Sequence, residues 1–467
     1  MYVSAVVAVC LWVGSQAAPA LDEITHLPGL NHDIAFKHYS GYLSGDTGKH
    51  LHYWFVESSR DPVGDPVVLW MNGGPGCSSM EGLLAELGPY LINPDGKTLK
   101  KNPYAWNTMA NMLFLEAPAC VGFSYDDHVP IQCSTGDDET SLSNYLALQD
   151  FFTNKFPEYR NNSLFITGES YAGIYVPTLA VRVLKGKEKF PINLQGYAIG
   201  NGISSNDLND DSRVFFAYYH GLLGDDLWDR LVDHCCTGGR ASRQTCNFHN
   251  STSPKCVVEL FSALTIVFSG ELNRYNMYDK CSHTTGGKFS RYQADLSNVM
   301  RRYGFNDTMV MEAKIKYNVN SDPPCLNATD IRTYLNTPEV RKALHIPTQV
   351  QTFEICNDLF HKIYEKEYTT MKPQYEYLTS RVRGLVYNGD IDMACNFLGD
   401  QWFVESLGLQ VTEERRMWFQ GGQVGGFVKR FASLDLLTVL GAGHMVPEDK
   451  PAPALKMITS FLFQKPY

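Results

Sequence analysis

Apolar residues in this chain collect into short continuous runs set apart by polar and glycine-rich stretches. Val67 to Met71, Met112 to Leu115, Leu164 to Thr167, Leu194 to Gly200, Gly384 to Tyr387 and Leu436 to Leu440 are nearly uniformly apolar. Runs of that kind predict strands covered on both faces, as in a parallel sheet. Leu51 to Val56 alternates more loosely and predicts an outer antiparallel strand. Between these runs, Leu142 to Phe156 and Ile174 to Leu184 carry apolar residues at helical spacing, and the pattern returns after a long interruption with Arg341 to His345. Strands alternating with helices predict an α/β fold with a mostly parallel central sheet.

The interruption runs from about Ser204 to Asn327. It is polar, richer in helix-like stretches, and holds six of the cysteines. The expected organisation is a first core part over 18–203, an inserted, mainly helical segment over 204–327, and a second core part over 328–467. Within the insertion, Arg301 to Lys316 contains Arg301-Arg302, Lys314 and Lys316, and reads either as a protease-sensitive loop or as an ordinary surface helix.

Composition narrows the compartment. Val3 to Val13 is apolar and leads into Gly14-Ser15-Gln16-Ala17-Ala18, which predicts a cleavable signal peptide over residues 1–17. The run is too short for a spanning helix, so no membrane anchor is expected. Twelve cysteines, eleven once Cys10 leaves with the signal, show no zinc-module spacing and favour disulfides; no metal or other cofactor is expected. Sequons at Asn161, Asn250, Asn306 and Asn327 fit a translocated, glycosylated chain. A net charge of -10 offers no basic stripe to replace phosphate counterions, which argues against nucleic acid as the partner.

Candidate chemistry sits at strand ends. The run Leu164 to Thr167 enters Gly168-Glu169-Ser170-Tyr171-Ala172-Gly173 and then a helix, the strand-turn-helix context that lifts a nucleophilic serine off a sheet. Val67 to Met71 ends in Asn72-Gly73-Gly74-Pro75-Gly76-Cys77-Ser78-Ser79, too glycine-rich to be held by side-chain packing. In α/β-hydrolases one oxyanion donor is the residue after the nucleophile, here Tyr171, and the other comes from such a loop; the Gly74 N–H is the candidate. Gly384 to Tyr387 leads to Asn388-Gly389-Asp390-Ile391-Asp392, and Leu436 to Leu440 leads to Gly441-Ala442-Gly443-His444. Ser170, Asp390 or Asp392, and His444 thus follow strands in the order serine, acid, histidine. An imidazole must take the serine proton and a carboxylate must hold the imidazole, so these residues predict acyl-transfer chemistry. Read as single residues, Glu169 is a solvated turn residue and Glu86 a helix-surface charge.

The sequences G-E-S-Y-A-G around Ser170, W-M-N-G-G-P-G-C-S-S from Trp70, N-G-D-I-D-M-A-C-N from Asn388 and G-A-G-H-M-V-P from Gly441 together resemble the serine carboxypeptidase family. The resemblance implies an α/β-hydrolase fold with a helical cap, and removal of C-terminal residues from peptides through an acyl-enzyme. An esterase, deamidase or acyltransferase would use the same triad. It implies Asp392 as the catalytic acid, Gly74 and Tyr171 as oxyanion donors, and Asn72, Glu86 and Glu169 as the holders of the substrate carboxylate. Two carboxylates there repel a third unless protonated, so activity is expected at acidic pH, as in a lysosome reached through the secretory pathway. It further implies disulfides Cys77 with Cys356, Cys235 with Cys256, Cys236 with Cys246 and Cys281 with Cys325, and an inactive precursor cut near 301–316. Expected partners are peptide substrates, a second copy in a homodimer, and the lysosomal glycosidases β-galactosidase and neuraminidase. The chain departs from the family where the loop S-P-A-G-V-G-F-S-Y has Ala117 and Cys120. A bond from Cys120 to Cys133 would leave Cys395 as the odd cysteine, and the Cys120 side chain would narrow the cleft.

Overall fold

A computed structural model of the chain describes residues 19–128, 133–268, 272–280, 300–305, 308, 328–357, 360 and 363–467. The predicted signal peptide, Cys281, Cys325, Asn306, Asn327 and most of 301–316 lie outside the described residues.

The principal strands are β1 (His38–Ser44), β2 (Lys49–Val56), β3 (Val67–Met71), β4 (Asn111–Leu115), β5 (Leu164–Glu169), β6 (Leu194–Gly200), β7 (Arg383–Gly389), β8 (Val411–Gln420), β9 (Gln423–Phe431) and β10 (Leu434–Val439), beside the short strands Tyr90–Ile92, Leu99–Lys101 and Tyr125–Asp126. The principal strands form one sheet in the order β1-β2-β4-β3-β5-β6-β7-β10-β9-β8. The segment from β4 to β10 is parallel throughout. Antiparallel neighbours close both flanks. Every residue of β3, β4, β5 and β10 is buried, which is why these segments read as unbroken apolar runs. Strand β2 is buried from Leu51 onward and lies one place in from the edge, since β1 pairs outside it.

Helices α1 (Asp137–Asp150) and α2 (Ala172–Lys185) cover one face through Leu148, Ile174 and Leu179. The opposite face is closed by a helix over Pro451–Phe463, with Met457, Ile458 and Phe461 packed on Val68, Trp70 and Leu437. The pattern that returns at Arg341 is helical: a helix spans Pro338–Ala343 and the chain turns at His345 with φ 57°. Pro338 opens that helix at its first position, a start signal the apolar pattern did not carry.

Beyond β6 the chain enters α3 (Asn206–Tyr219), α4 (Asp225–Cys235) and α5 (Pro254–Val267). These helices build a separate apolar cluster with Met300, Tyr303 and Phe305, centred on Phe215, Phe216, Leu260 and Leu264. Disulfides join Cys235 to Cys256 and Cys236 to Cys246 there, and Cys77 to Cys356 and Cys120 to Cys133 in the main body. Asn161 and Asn250 are exposed. No helix of the described residues is long and apolar enough to cross a membrane.

Candidate active site

Strands β3, β5, β6, β7 and β10 run the same way, so the loops that follow them gather on one edge of the sheet. Ser170 stands there between β5 and α2 with φ 64°, in the left-handed region that a residue with a Cβ occupies only when its surroundings enforce it. Those surroundings are tight. A Cβ at Gly173 would lie 2.5 Å from the Ile203 nitrogen, and one at Gly168 would lie 2.7 Å from the Ala172 Cβ. The Ser170 N–H donates to Gly200 O at 3.1 Å and its carbonyl accepts from the Gly173 and Ile203 N–H groups.

Asp392 and His444 meet at 2.7 Å, carboxylate Oδ2 to imidazole Nδ1, both buried. The same carboxylate accepts from Asn201 Nδ2 at 2.9 Å, from the Ala394 N–H at 2.8 Å and from the Cys395 N–H at 3.2 Å. So many donors hold Asp392 as an anion acceptor aimed at one ring nitrogen, leaving Nε2 as the nitrogen for a serine proton. Asp390 points elsewhere: its Oδ1 accepts from the Gly441 N–H at 2.6 Å and ties the β7 loop to the β10 loop. The His444 N–H donates to Tyr275 O at 2.7 Å, and the Tyr275 ring lies 4.8 Å from the imidazole. Asp392, Cys395 and His444 also place metal-ligand atoms within 4.8 Å of one another, but the carboxylate is already saturated by the donors just named.

The glycine loop packs on the serine turn, where a Cβ at Gly73 would lie 2.8 Å from the Ser170 Cβ. Gly74 has φ 116°, and a Cβ there would lie 2.7 Å from the Gly76 nitrogen. Among the described residues neither the Gly74 nor the Tyr171 N–H has an acceptor. Tyr171 is fixed from its far end, its hydroxyl donating to Asp137 Oδ1 at 2.9 Å, where Tyr364 donates as well.

Beside the loop lie Asn72, Glu86 and Glu169, all buried. Asn72 Nδ2 donates to Glu169 Oε1 at 2.9 Å and to Glu86 Oε1 at 3.3 Å, while its Oδ1 accepts from Trp70 Nε1 at 2.8 Å. Glu86 and Glu169 also meet each other side chain to side chain, and among the described residues the buried Glu86 Oε2 has no other donor. Burial pushes the Glu86 carboxyl well above the usual carboxylate range, with Glu81 and Glu448 adding to the effect. Burial and the neighbouring Glu86 do the same to Glu169. The single-residue reading of both as solvated charges is therefore overturned: β5 ends at Glu169 inside the body, and the helix carrying Glu86 turns it inward. Asn201, Asp137 and Tyr275 were not singled out from sequence as site residues. Asn201 alone left a signal, as the asparagine closing a buried strand before a glycine.

Residues 28–464 match the family model described as serine carboxypeptidase. The lysosomal protective protein (cathepsin A) of Mus musculus is 49% identical over 469 residues, covering 97% of this chain and 96% of that protein. Serine carboxypeptidase ctsa-4.1 of Caenorhabditis elegans is 43% identical over 97% of this chain and 95% of its own length. The prohormone-processing carboxypeptidase Kex1(delta)p of Saccharomyces cerevisiae shares the α/β-hydrolase fold, with a TM-score of 0.72, 22% identity and 96% of each chain covered. The chain belongs to the serine carboxypeptidase family and is a hydrolase of that kind.

Proposed function

We propose that Ser170 attacks the C-terminal peptide bond of a peptide, with His444 Nε2 taking the hydroxyl proton and Asp392 holding the imidazolium that results. The observation that carries this is the buried 2.7 Å pair of Asp392 and His444 on the strand edge that also presents Ser170. The unpartnered N–H groups of Gly74 and Tyr171 receive the carbonyl oxygen as it becomes anionic. His444 then returns the proton to the leaving amine, and a water attacks the acyl-enzyme by the same route in reverse.

Asn72, Glu86 and Glu169 hold the substrate's free carboxylate. A carboxyl whose pKa is raised is neutral at acid pH and donates a hydrogen bond to that carboxylate; once ionised, it repels it. Peptidase action is therefore strongest in an acidic compartment. The name of the mouse relative, lysosomal protective protein, supports a lysosomal location and a protective role; the choice of β-galactosidase and neuraminidase as partners rests on the family resemblance. Helices α3, α4 and α5 act as a cap, the 301–316 region is the activation site, and the working form is a homodimer. The same triad would cleave esters and amides, but a buried carboxyl pair beside it favours substrates with a free C-terminus.

The test is release of the C-terminal residue from an N-blocked dipeptide at about pH 5, beside the same dipeptide as its amide. Release from the free acid that disappears in Ser170→Ala and His444→Ala supports the reading; equal turnover of the amide removes the role of Asn72, Glu86 and Glu169.

A further inference from the structure

A second serine, histidine and carboxylate are joined deep in the body, away from solvent. His52 Nδ1 lies 2.8 Å from Glu116 Oε2, and His52 Nε2 lies 2.9 Å from Ser40 Oγ. Both ionisable side chains are wholly buried, so this trio meets no substrate. Its protons can be assigned from the partners. The Ser40 hydroxyl donates to Leu344 O at 2.8 Å, so His52 Nε2 must donate to Ser40. That leaves Nδ1 facing the Glu116 carboxyl.

The other partners of Glu116 say what the pair holds. Its Oε1 accepts from the Ser78 hydroxyl, the residue after Cys77 on the glycine loop. Its Oε2 accepts from the Phe123 N–H at 2.8 Å, and its carbonyl accepts from Ser124 Oγ at 2.7 Å. Ser124 Oγ in turn accepts from the His52 N–H at 2.8 Å. A Cβ at Gly122 would overlap the Glu116 carboxylate, so the 117–124 loop closes directly over it. One carboxylate thus fastens strand β2, the loop after β4 and the loop after β3. The last of these carries Gly74.

We propose that the Glu116–His52 pair is a positioning unit for the oxyanion loop, setting the place of the Gly74 N–H through the hydroxyl of Ser78. The inference rests on the reading of Gly74 as an oxyanion donor. Among the described residues the Ser78 hydroxyl has no other acceptor, and the carboxylate it meets is held in one orientation by the imidazole behind it and the Phe123 N–H beside it. Loosening that contact leaves Ser170, His444 and the carboxylate-binding group in place and displaces one donor.

The probe is an N-blocked peptide aldehyde. Ser170 Oγ adds to its carbonyl carbon, the serine proton passes to the new oxygen, and that oxygen occupies the oxyanion position. The matching peptide alcohol cannot form this adduct. Ser78→Ala and Glu116→Gln are each expected to lower kcat for the dipeptide by roughly 10- to 100-fold with KM unchanged. The preference for aldehyde over alcohol is expected to fall by the same factor. If a folded Ser78→Ala enzyme keeps the wild-type kcat and the wild-type aldehyde preference, the proposal is wrong while the oxyanion reading stands. If aldehyde and alcohol weaken together and KM rises, the pair is general scaffolding and positions nothing. If the wild-type enzyme shows no aldehyde preference, the Gly74 reading fails and the proposal fails with it.

Discussion

Two buried groups of carboxylates in this molecule are built to opposite ends. In the helical insertion, Asp210 is flanked by two guanidinium groups: Arg213 Nη1 donates to it at 2.6 Å, and Arg302 grips both its oxygens, at 2.6 and 3.0 Å. Burial alone would raise its pKa, but Arg302 and Arg213 outweigh burial and hold the carboxyl below its usual range. Beside the glycine loop, Glu86 and Glu169 are equally buried, and among the described residues they meet the amide of Asn72 and each other but no cation. There burial prevails and both carboxyls are pushed up. Burial sets the stakes and the partner sets the sign. Asp210 is held as an anion, whereas burial of the glutamate pair favours its neutral form.

Removing the charge of Asp210 should give the largest effect. Asp210→Asn leaves the buried Arg213 guanidinium without its counter-charge and releases the exposed Arg302, and is expected to cost about 3–5 kcal/mol, read as a lowered urea midpoint. Arg302→Lys keeps the charge but loses the two-pronged grip, and the expected cost is about 1–2 kcal/mol by the same measurement. Unchanged stability in both would mean that the contrast between the two regions is not energetic.

The pH dependence of stability separates the regions further. A carboxyl raised in the folded state binds its proton more tightly than in the unfolded chain. Between the ordinary and the raised pKa the folded state therefore holds more protons, and stability falls as pH rises through that window. A lowered carboxyl behaves the other way, so the contribution of Asp210 is present above the ordinary aspartate range and lost as pH falls through its folded pKa. Glu86→Gln should flatten the decline toward neutral pH, by about 1.4 kcal/mol for each unit of raised pKa removed. A decline as steep as in the wild type would assign it to other groups.

The parts of this architecture that are local were legible from the chain alone. Buried parallel strands announce themselves as apolar runs, and the turn around Ser170 announces itself because Gly168 and Gly173 are required where a Cβ would strike Ala172 or Ile203. The order serine, acid, histidine followed from strand ends, which left Asp390 and Asp392 open; the family resemblance implied Asp392, and it is Asp392 that faces His444. What depends on distant chain was hidden. Glu86 and Glu169 are buried by segments far from them in sequence, and without family resemblance they read as surface charges. Arg341–Ala343 showed the same limit at small scale, since a few mixed residues fit a strand or a short helix until the preceding proline is seen to open a helix. Glu116 and His52 carry no motif at all; their pairing exists only because β2 and β4 lie side by side.

The central claim is that Glu86 and Glu169 bind the substrate carboxylate in the protonated state. The direct measurement is KM for an N-blocked dipeptide from about pH 5 to pH 7 in the wild-type enzyme and in Glu169→Gln, with the dipeptide amide as reference. The expected KM for the free acid rises about tenfold or more toward neutral pH in the wild type and rises less steeply in Glu169→Gln, where Glu86 alone still ionises, with the amide insensitive throughout. A free-acid KM that rises equally in both enzymes, or that rises for the amide as well, would contradict it.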